Sequence, residues 1–306
     1  MSFVLELLPN ELLLEIFNYI QPIHLHRAFF DLNSRINSLL QHDHQWKIYL
    51  WTNCSNYKYL CQHVLPIFWK QITYLSVRTH DLEARVPLLN FVNLKSLVLR
   101  CDYPYDFIFP LLLILKQLTS LHLLTEHYNS CDHSQLLTHP TLKRITLINV
   151  CLTEFNFKQI ESIRSSNIEY LKIKPCSFIN LNLLLRHLPQ LKYGNFTLPA
   201  RSMRYPLVME NTTIFNLIYL KLDVISLEFN HLKQLLSRVP NLIYLSFAST
   251  SNEFFIDGHQ WQCLLEKLVN LKMFNLNMKN WYNKATDEIK ESFKTKFWID
   301  EHPKQI

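Results

Sequence analysis

Histidine and cysteine side chains are the first candidates for chemistry in this sequence, because both bind metals and both act in catalysis. Three pairs of them lie close together in the chain: His24 and His26, His42 and His44, and Cys131 and His133. A structural zinc site needs paired ligands at defined spacings, such as Cys-x-x-Cys with a second pair further along. The three pairs lack that spacing. We therefore expect no metal, no cofactor and no catalytic residues.

Glycine is nearly absent, and this limits the possible enzyme classes. The 306 residues contain two glycines, Gly194 and Gly258. Phosphate-binding loops need glycine because the backbone must approach the anion closely. The sequence therefore excludes P-loop ATPases, Rossmann dehydrogenases and hydrolases with a Gly-x-Ser-x-Gly motif. An enzyme whose catalytic residues come from distant parts of the chain stays open as a third alternative, behind the two functions given below.

Tyrosine and lysine are arranged in a pattern that suits protein binding. A tyrosine takes the same place in four consecutive copies of a recurring phrase, and a lysine follows it two positions later in two of them: Tyr170, Lys172, Tyr193, Tyr219, Lys221 and Tyr244. A tyrosine ring offers a large contact area and a hydroxyl at low entropic cost. These six residues are the candidates for binding a target protein. The rings equally suit a cross-strand ladder that stabilises a sheet, and both roles can hold.

The phrase that positions these tyrosines is Leu-x-x-Leu-x-Leu, with other apolar residues at some of its leucine positions. It occurs nine times, beginning at Ile72, Leu94, Leu118, Leu142, Ile168, Leu191, Leu217, Leu242 and Leu271. The copies start 22 to 29 residues apart, which is the period of leucine-rich repeats. In such repeats the phrase is a short strand with inward leucines, and the residue before the second leucine faces the concave surface. Few copies have the usual asparagine after the phrase, so we expect irregular turns.

The predicted fold class is therefore α/β, with a short all-helical head followed by a horseshoe-like solenoid of about nine irregular repeats. The repeats span 71–279, and helical spacing before three phrases predicts helices over 181–188, 232–239 and 261–268. The segment 197–213 is longer and more polar than the other connections, which favours an insertion over a functional loop. Residues 280–306 are predicted to cover the open end, through a helix capped by Thr286 and a last strand over 296–299.

The head begins with an apolar helix over residues 7–20. Pro9 stands at its first turn, where proline is tolerated. Glu11, Glu15 and Asn18 form one polar stripe, and apolar residues cover nearly all the remaining circumference. Such a helix is expected to be buried on more than one side. Either it docks on its own domain alone, or it also presents a face to a partner chain.

The residues that follow give the head a recognisable pattern. Residues 23–32 predict a second helix, a third begins after Asn33, and Trp46 comes soon afterwards. Residues 5–48 resemble the F-box, the helical module that binds the Skp1 adaptor of cullin-RING ubiquitin ligases. The matching residues are Leu8, Pro9, Glu11, Leu12, Ile16, Phe17, Tyr19, Ile20, Pro22, Leu25, Ala28 and Trp46. The stretch Leu32–Arg35 departs from the family, in which many members have a cysteine followed by a basic residue and tryptophan.

The resemblance implies a function and a set of contacts. The repeats resemble the irregular type found behind F-boxes, so the chain is expected to be the substrate-recognition subunit of an SCF-type ubiquitin ligase. The residues implied to bind Skp1 are Leu8, Pro9, Leu12, Ile16, Phe17 and Ile20. The expected domains are a head at 1–48, a helical connector at 49–70, the repeats at 71–279 and a cap at 280–306. The rival function is a repeat scaffold or ligand-binding protein whose head only caps its N-terminal end.

Composition limits the partners and the compartment. The formal net charge of +6 is too small for a nucleic-acid footprint, and the longest apolar run after the head, 107–115, is too short to cross a bilayer. Seven scattered cysteines without a Cys-x-x-Cys pair suit a reducing compartment. The N-terminus lacks the basic region of a signal peptide. From the composition we expect no nucleic-acid or membrane partner and a cytoplasmic or nuclear location. The F-box resemblance implies a Skp1-like adaptor, a cullin complex and a protein substrate as partners.

Overall fold

The structure is a computed structural model. It describes residues 5–50, 56–78, 88–101, 112–130, 134–151, 166–199, 212–225, 227–249, 258–278 and 287–301. The chain divides into two compact units, Met1–Glu126 and His127–Ile306. Within the described ranges, no helix combines the length and the apolar character needed to cross a membrane. Thr286 and most of the predicted insertion, residues 200–211, lie outside these ranges.

Three short helices form the head: α1 (Asn10–Asn18), α2 (Pro22–Phe29) and α3 (Ser34–Ser38). Pro22 takes the first position of α2, where the missing N–H costs no helical hydrogen bond. Asn33 caps α3, because its Oδ1 accepts a hydrogen bond from the Ile36 N–H at 2.8 Å. A π-helical turn, Leu39–Asp43, follows α3. The second helix ends three residues before the end predicted from the sequence.

The N-terminal unit contains three strands and most of a fourth: β1 (Trp46–Tyr49), β2 (Ile72–Arg78), β3 (Ser96–Cys101) and β4 (Ser120–Ser130), which pair in parallel in chain order. Helical segments connect β1 to β2 at Tyr57–Tyr59, Leu60–Val64, Leu65–Phe68 and Trp69–Gln71. β1 was not predicted, because it lacks the repeat phrase. Trp46 and Ile48 are buried and Lys47 and Tyr49 are exposed. The boundary predicted at residue 48 falls inside this strand.

The C-terminal unit contains six parallel strands, again paired in chain order. They are β5 (Arg144–Cys151), β6 (Tyr170–Lys174), β7 (Tyr193–Leu198), β8 (Tyr219–Val224), β9 (Tyr244–Ser249) and β10 (Met273–Met278). Every one of the nine phrases found in the sequence therefore holds a strand. The prediction of an α/β fold with one parallel strand in each copy of the phrase is confirmed.

The core lies where the leucines of neighbouring strands meet. Leu75, Leu97 and Leu121 are register partners across β2, β3 and β4. Leu220 and Leu245 are partners across β8 and β9. All five are completely buried, and each large apolar side chain buried in this way contributes about 1.5–3 kcal/mol. Since neighbouring strands bring leucines to the same height, their side chains form a continuous apolar core within each unit.

The start of most strands carries the same irregularity. The N–H groups of Ile218 and Tyr219 both donate to the Lys192 carbonyl, at 3.0 Å each. The N–H groups of Ile243 and Tyr244 share the Ile218 carbonyl in the same way, and the pattern recurs at the starts of β4, β6, β7 and β10. Two residues then face one, as in a β-bulge. The regular alternation begins only after this point, so two adjacent side chains of each strand stay outside the core.

An asparagine stands directly before the phrase in five repeats and links each of them to the repeat before it. Its Nδ2 donates to a backbone carbonyl 23 to 30 residues earlier, at 2.7 to 3.2 Å, in Asn93, Asn167, Asn216, Asn241 and Asn270. These bonds satisfy carbonyls at the turns that lead into the strands. These asparagines were not predicted, because leucine-rich repeats usually have their asparagine after the phrase.

Helices on the other side of the C-terminal sheet follow the predicted positions closely. They are α4 (Phe178–His187), α5 (Phe229–Ser237) and α6 (Gly258–Leu265). Each begins three residues before its predicted start, because the apolar spacing marks the buried face and misses the first turn. Ser177 caps α4 by accepting a hydrogen bond from the Asn180 N–H at 3.1 Å.

The C-terminal cap differs from the prediction. The helix α7 (Asp287–Ser292) is present, but the strand predicted over 296–299 is wrong, because Phe297–Glu301 forms a π-helical turn. Trp298 explains the difference: its indole is buried against the ring of Phe293 at 5.0 Å, and its Nε1 donates to the Gly258 carbonyl at 3.2 Å. These tertiary contacts override the β propensity of an apolar aromatic run.

Candidate protein-binding surface

The predicted tyrosines form one column on the solvent face of the C-terminal sheet. We use the name tyrosine column for Tyr170, Tyr193, Tyr219 and Tyr244, which are successive register partners across β6 to β9. Their ring centroids are 6.3, 5.5 and 4.3 Å apart in that order. The last pair is stacked, with ring planes 3° apart. The register confirms the order of the column that the sequence predicted.

The rings are partly open to solvent. Tyr193 is exposed, and the other three members are half-buried against their neighbours. Burial, followed by the charge and hydrogen bond of the Tyr244 hydroxyl, raises the pKa of Tyr219 above its usual value. The Tyr219 hydroxyl therefore stays neutral over the physiological range. The column offers aromatic edges and hydroxyl groups to a partner while its members also stack on one another.

A row of polar side chains lies two residues further along the same strands. Lys172, Asn195 and Lys221 are register partners across β6, β7 and β8. Among the described residues, the buried Oδ1 of Asn195 has no hydrogen-bond partner. The next lysine along β6, Lys174, is held by Asp223 at 3.1 Å. The two predicted lysines therefore flank an amide beside the tyrosine column, whereas Lys174 is neutralised within the sheet.

The six residues expected to contact Skp1 have different surroundings in the head. Leu12 and Pro9 are exposed, and Leu8, Ile16 and Ile20 are half-buried. Phe17 is completely buried.

Phe17 belongs to the core of the head. Its ring lies 5.2 Å from that of Phe29 and 6.3 Å from that of His44. A substitution at Phe17 would therefore disturb folding as well as any contact made by the helix surface.

The stretch that departs from the F-box pattern has a structural role in the head. The Arg35 guanidinium donates to Asn10 Oδ1 at 2.8 Å through Nε and to the Leu8 carbonyl at 2.5 Å through Nη2. Together with the Asn33 cap of α3, these bonds fix the start of α1 against α3. The polar residues at this point therefore hold Leu8 and Pro9 in place.

Some exposed apolar residues were not selected from the sequence. In the head, Leu7 and Tyr19 lie at the two ends of α1 and are largely exposed. In the repeats, the half-buried Ile218 and the exposed Ile243 occupy the position after the first leucine of the phrase. That position is threonine, lysine or glutamate in the other copies, so the two isoleucines were a sequence signal that went unused.

The histidine pairs do not assemble a site in the part of the chain that the structure describes. His24 is exposed, while His26 is buried, with its Nδ1 3.0 Å from the Tyr59 hydroxyl. His44 lies in the head core, and burial lowers its pKa to about 4. Cys131 and His133 lie outside the described ranges. No group of three histidine, cysteine, aspartate or glutamate side chains that could hold a metal ion occurs among the described residues.

Comparisons with known proteins give similarities to solved structures only. No family model and no curated protein sequence matches the chain. Among solved structures, the fold is similar to an internalin (InlF) from Listeria monocytogenes str. 4b F2365, with a TM-score of 0.41 and 17% sequence identity. The match covers 65% of this chain and 53% of the internalin, so the chain spans about half of that protein's length. A similarity this low carries no information about the binding surface of this chain.

Proposed function

We propose that this protein is the substrate-recognition adaptor of an SCF-type ubiquitin ligase. The head would bind a Skp1-like adaptor and through it the cullin complex, and the C-terminal repeats would hold a target protein for ubiquitination. The chain itself would supply no chemistry and need no cofactor, because the ubiquitin-charged enzyme of the ligase performs the transfer. Its place would be the cytoplasm or the nucleus.

The observation that carries the adaptor half of the proposal is the outward side of α1. A helix that only capped its own domain would place polar residues on its solvent side. Instead Leu12 is 45% exposed, and Tyr19 at the end of the helix is 84% exposed. Leu8, Ile16 and Ile20 add partly open apolar surface on or beside the same helix. This surface coincides with the residues that resemble the F-box.

The tyrosine column supports the target-binding half. Partly exposed tyrosines are enriched among the residues that dominate protein interfaces. The flanking Lys172 and Lys221 suit an extended segment that carries an acidic or phosphorylated group and an apolar anchor. Charge would set approach and register more than affinity, and the tyrosine rings would supply most of the contact energy.

The rival function is a repeat scaffold without a role in ubiquitination. In this function the tyrosine column is still a binding surface, but the head only covers the N-terminal end of the repeats. The two functions differ in what the outward side of α1 does, so a change confined to that side separates them.

The test is the substitution Leu12→Glu, with binding to purified Skp1 measured by calorimetry. Removing one apolar contact worth about 1.5–3 kcal/mol should weaken binding at least about tenfold. Because Leu12 is already partly in solvent, the melting temperature should change little. Phe17 is unsuitable for this purpose because its ring is in the core.

The matched control is Leu89→Glu, which makes the same change at a leucine of the repeats that is 55% exposed. It should bind Skp1 as the wild type does. Normal binding by Leu12→Glu, or no complex between the wild-type chain and Skp1, would refute the adaptor function and leave the scaffold function in its place.

A further inference from the structure

We propose that the target site extends past the tyrosine column into a groove at the starts of β7 to β10, which takes an apolar side chain flanked on both sides by acidic residues. The inference deepens the proposed target binding and rests on it. It does not depend on the head or on Skp1.

The groove is built on a row of four residues, which we call the rim row: Lys192, Ile218, Ile243 and Lys272. The backbone fixes their order. The Ile218 N–H donates to the Lys192 carbonyl at 3.0 Å, the Ile243 N–H to the Ile218 carbonyl at 2.9 Å, and the Lys272 N–H to the Ile243 carbonyl at 2.9 Å. Each member therefore lies one strand further across the sheet than the one before it.

The bulge at each strand start keeps the rim row out of the core. Because two consecutive N–H groups share one carbonyl, the side chains of Ile218 and Ile243 lie beside those of Tyr219 and Tyr244 and do not alternate inward. Ile243 is 38% exposed although a leucine follows it two positions later in the buried core. The rim row and the tyrosine column are consequently neighbouring lines on the same strands.

A cavity of about 460 Å³ lies over this row. The rim row lines it together with Phe215, Asn216, Asn241 and Asn270. Phe215 is 64% exposed, which is unusual for a phenylalanine in a segment that is otherwise held in place. Asn241 holds that segment, since its Nδ2 donates to the Phe215 carbonyl at 3.0 Å. The groove is therefore apolar and rests on a hydrogen-bonded base.

The charges at its ends have one sign. At one end, Glu169 lies 3.0 Å from Lys192 and 3.7 Å from Lys143. One carboxylate thus serves two ammonium groups, and a net positive charge remains there. At the other end, Lys272 is exposed. An apolar groove with a cation at each end is complementary to an apolar residue between two acidic ones.

The geometry also gives the spacing of the acidic residues. Lys192 and Lys272 are three strand spacings apart, about 14 Å at about 4.8 Å per strand. An extended peptide advances about 3.3 Å per residue. A segment that crosses the strands along the rim row would therefore carry acidic residues about four positions apart, with its large apolar side chain between them. This is the chemistry of the partner segment.

The test uses a phage-displayed library of 12-residue peptides, selected against the full chain. The wild type should enrich peptides with a large apolar residue between two acidic residues about four positions apart. The double variant Phe215→Ser/Ile243→Ser should bind the enriched peptides at least about tenfold more weakly by fluorescence anisotropy. The control is Val269→Ser, which changes a residue that is 84% exposed and does not line the groove, and its binding should be normal.

Two further variants separate this inference from the proposed function. Lys272→Glu should weaken the binding of peptides with both acidic residues. It should not change the binding of peptides in which the acidic residue on that side is replaced by serine. Tyr219→Ala/Tyr244→Ala reports on the column itself. If that variant loses binding while Phe215→Ser/Ile243→Ser keeps it, the groove is excluded and the tyrosine column stands. Enrichment without the acidic pattern, or no enrichment at all, also overturns the inference, whereas the adaptor function is decided by Skp1 binding.

Discussion

The solvent face of the sheet differs between the two units although their cores are alike. In the N-terminal unit the column position holds Tyr74, Ser96 and Ser120, which are register partners across β2 to β4. Tyr74 is packed against Tyr49 of β1, with ring centroids 5.0 Å apart. In the C-terminal unit four successive members of the column are tyrosines. The same backbone position is therefore serine in β3 and β4 and tyrosine in the four successive strands β6 to β9.

The difference separates what the repeat needs from what the surface can vary. The leucines of the phrase are buried in both units, because a repeat cannot bury its apolar face without its neighbours. The positions between those leucines meet solvent and carry no such constraint. An aromatic column confined to one unit thus marks a local interaction surface, and the following experiments test each half of that comparison.

The experiment with the largest expected effect tests whether the cores of the two units contribute equally to stability. Leu97→Ala in the N-terminal unit and Leu220→Ala in the C-terminal unit remove completely buried leucines at equivalent positions. Each should lower the free energy of unfolding by about 2–5 kcal/mol, through lost apolar burial and the cavity left behind. Urea unfolding followed by circular dichroism measures both. A large loss at one site with a loss below about 1 kcal/mol at the other would show that the two cores are not equivalent.

The second experiment tests the inequality of the surfaces. Tyr219→Ser/Tyr244→Ser gives the C-terminal column the chemistry of the N-terminal one. Because two aromatic contacts are lost, the affinity for peptides selected against the wild type should fall about a hundredfold. Stability should fall by only about 1 kcal/mol, the value of one stacked aromatic pair. Anisotropy and melting temperature report the two effects separately.

The control for that experiment is Ser96→Ala/Ser120→Ala, which changes the same column in the N-terminal unit. It should leave peptide binding unchanged. If the tyrosine double variant instead loses stability and keeps normal binding, the column is a structural ladder and the target-binding half of the proposed function fails.

The parts of this structure that follow the period of the chain were predictable from the sequence. The nine strands and the register of Tyr170 to Tyr244 depend on the spacing of the leucines and on the alternation of buried and exposed residues along each strand. Both patterns can be read directly from the sequence. The three helices behind the C-terminal sheet depend on the same apolar spacing. Their predicted starts were three residues late and their predicted ends one to three residues late.

The parts that depend on contacts between distant residues were not predictable. β1 is four residues long and pairs with β2 across the intervening helical segments. The turn at Phe297–Glu301 follows from the contact of Trp298 with Gly258. The surface position of Ile218 and Ile243 follows from shared carbonyls at the strand starts. None of these interactions produces a pattern in the neighbouring sequence, so they could not be predicted from the spacing of apolar residues.

The smallest expected effect concerns acid, and it should appear in the N-terminal unit. His44 is buried beside Phe17 and Trp46, with ring centroids 6.3 and 5.2 Å away, and burial lowers its pKa from 6.5 to about 4. The unfolded chain therefore binds a proton between these two values that the folded chain does not. Stability is full above about pH 6.5, falls as the pH drops through the window, and stops falling near pH 4. Between pH 7 and pH 5.5 the loss should be about 1 kcal/mol.

Amide hydrogen exchange at pH 7 and pH 5.5, corrected for the intrinsic rate, would locate this loss. Protection should fall around α1 and β1, which lie next to His44, and change less around β8 and β9 in the other unit. His44→Phe removes the titrating group and keeps an aromatic ring against Phe17, so its N-terminal unit should lose the pH dependence. Equal acid sensitivity in the wild type and in His44→Phe would show that other groups govern the response of the head.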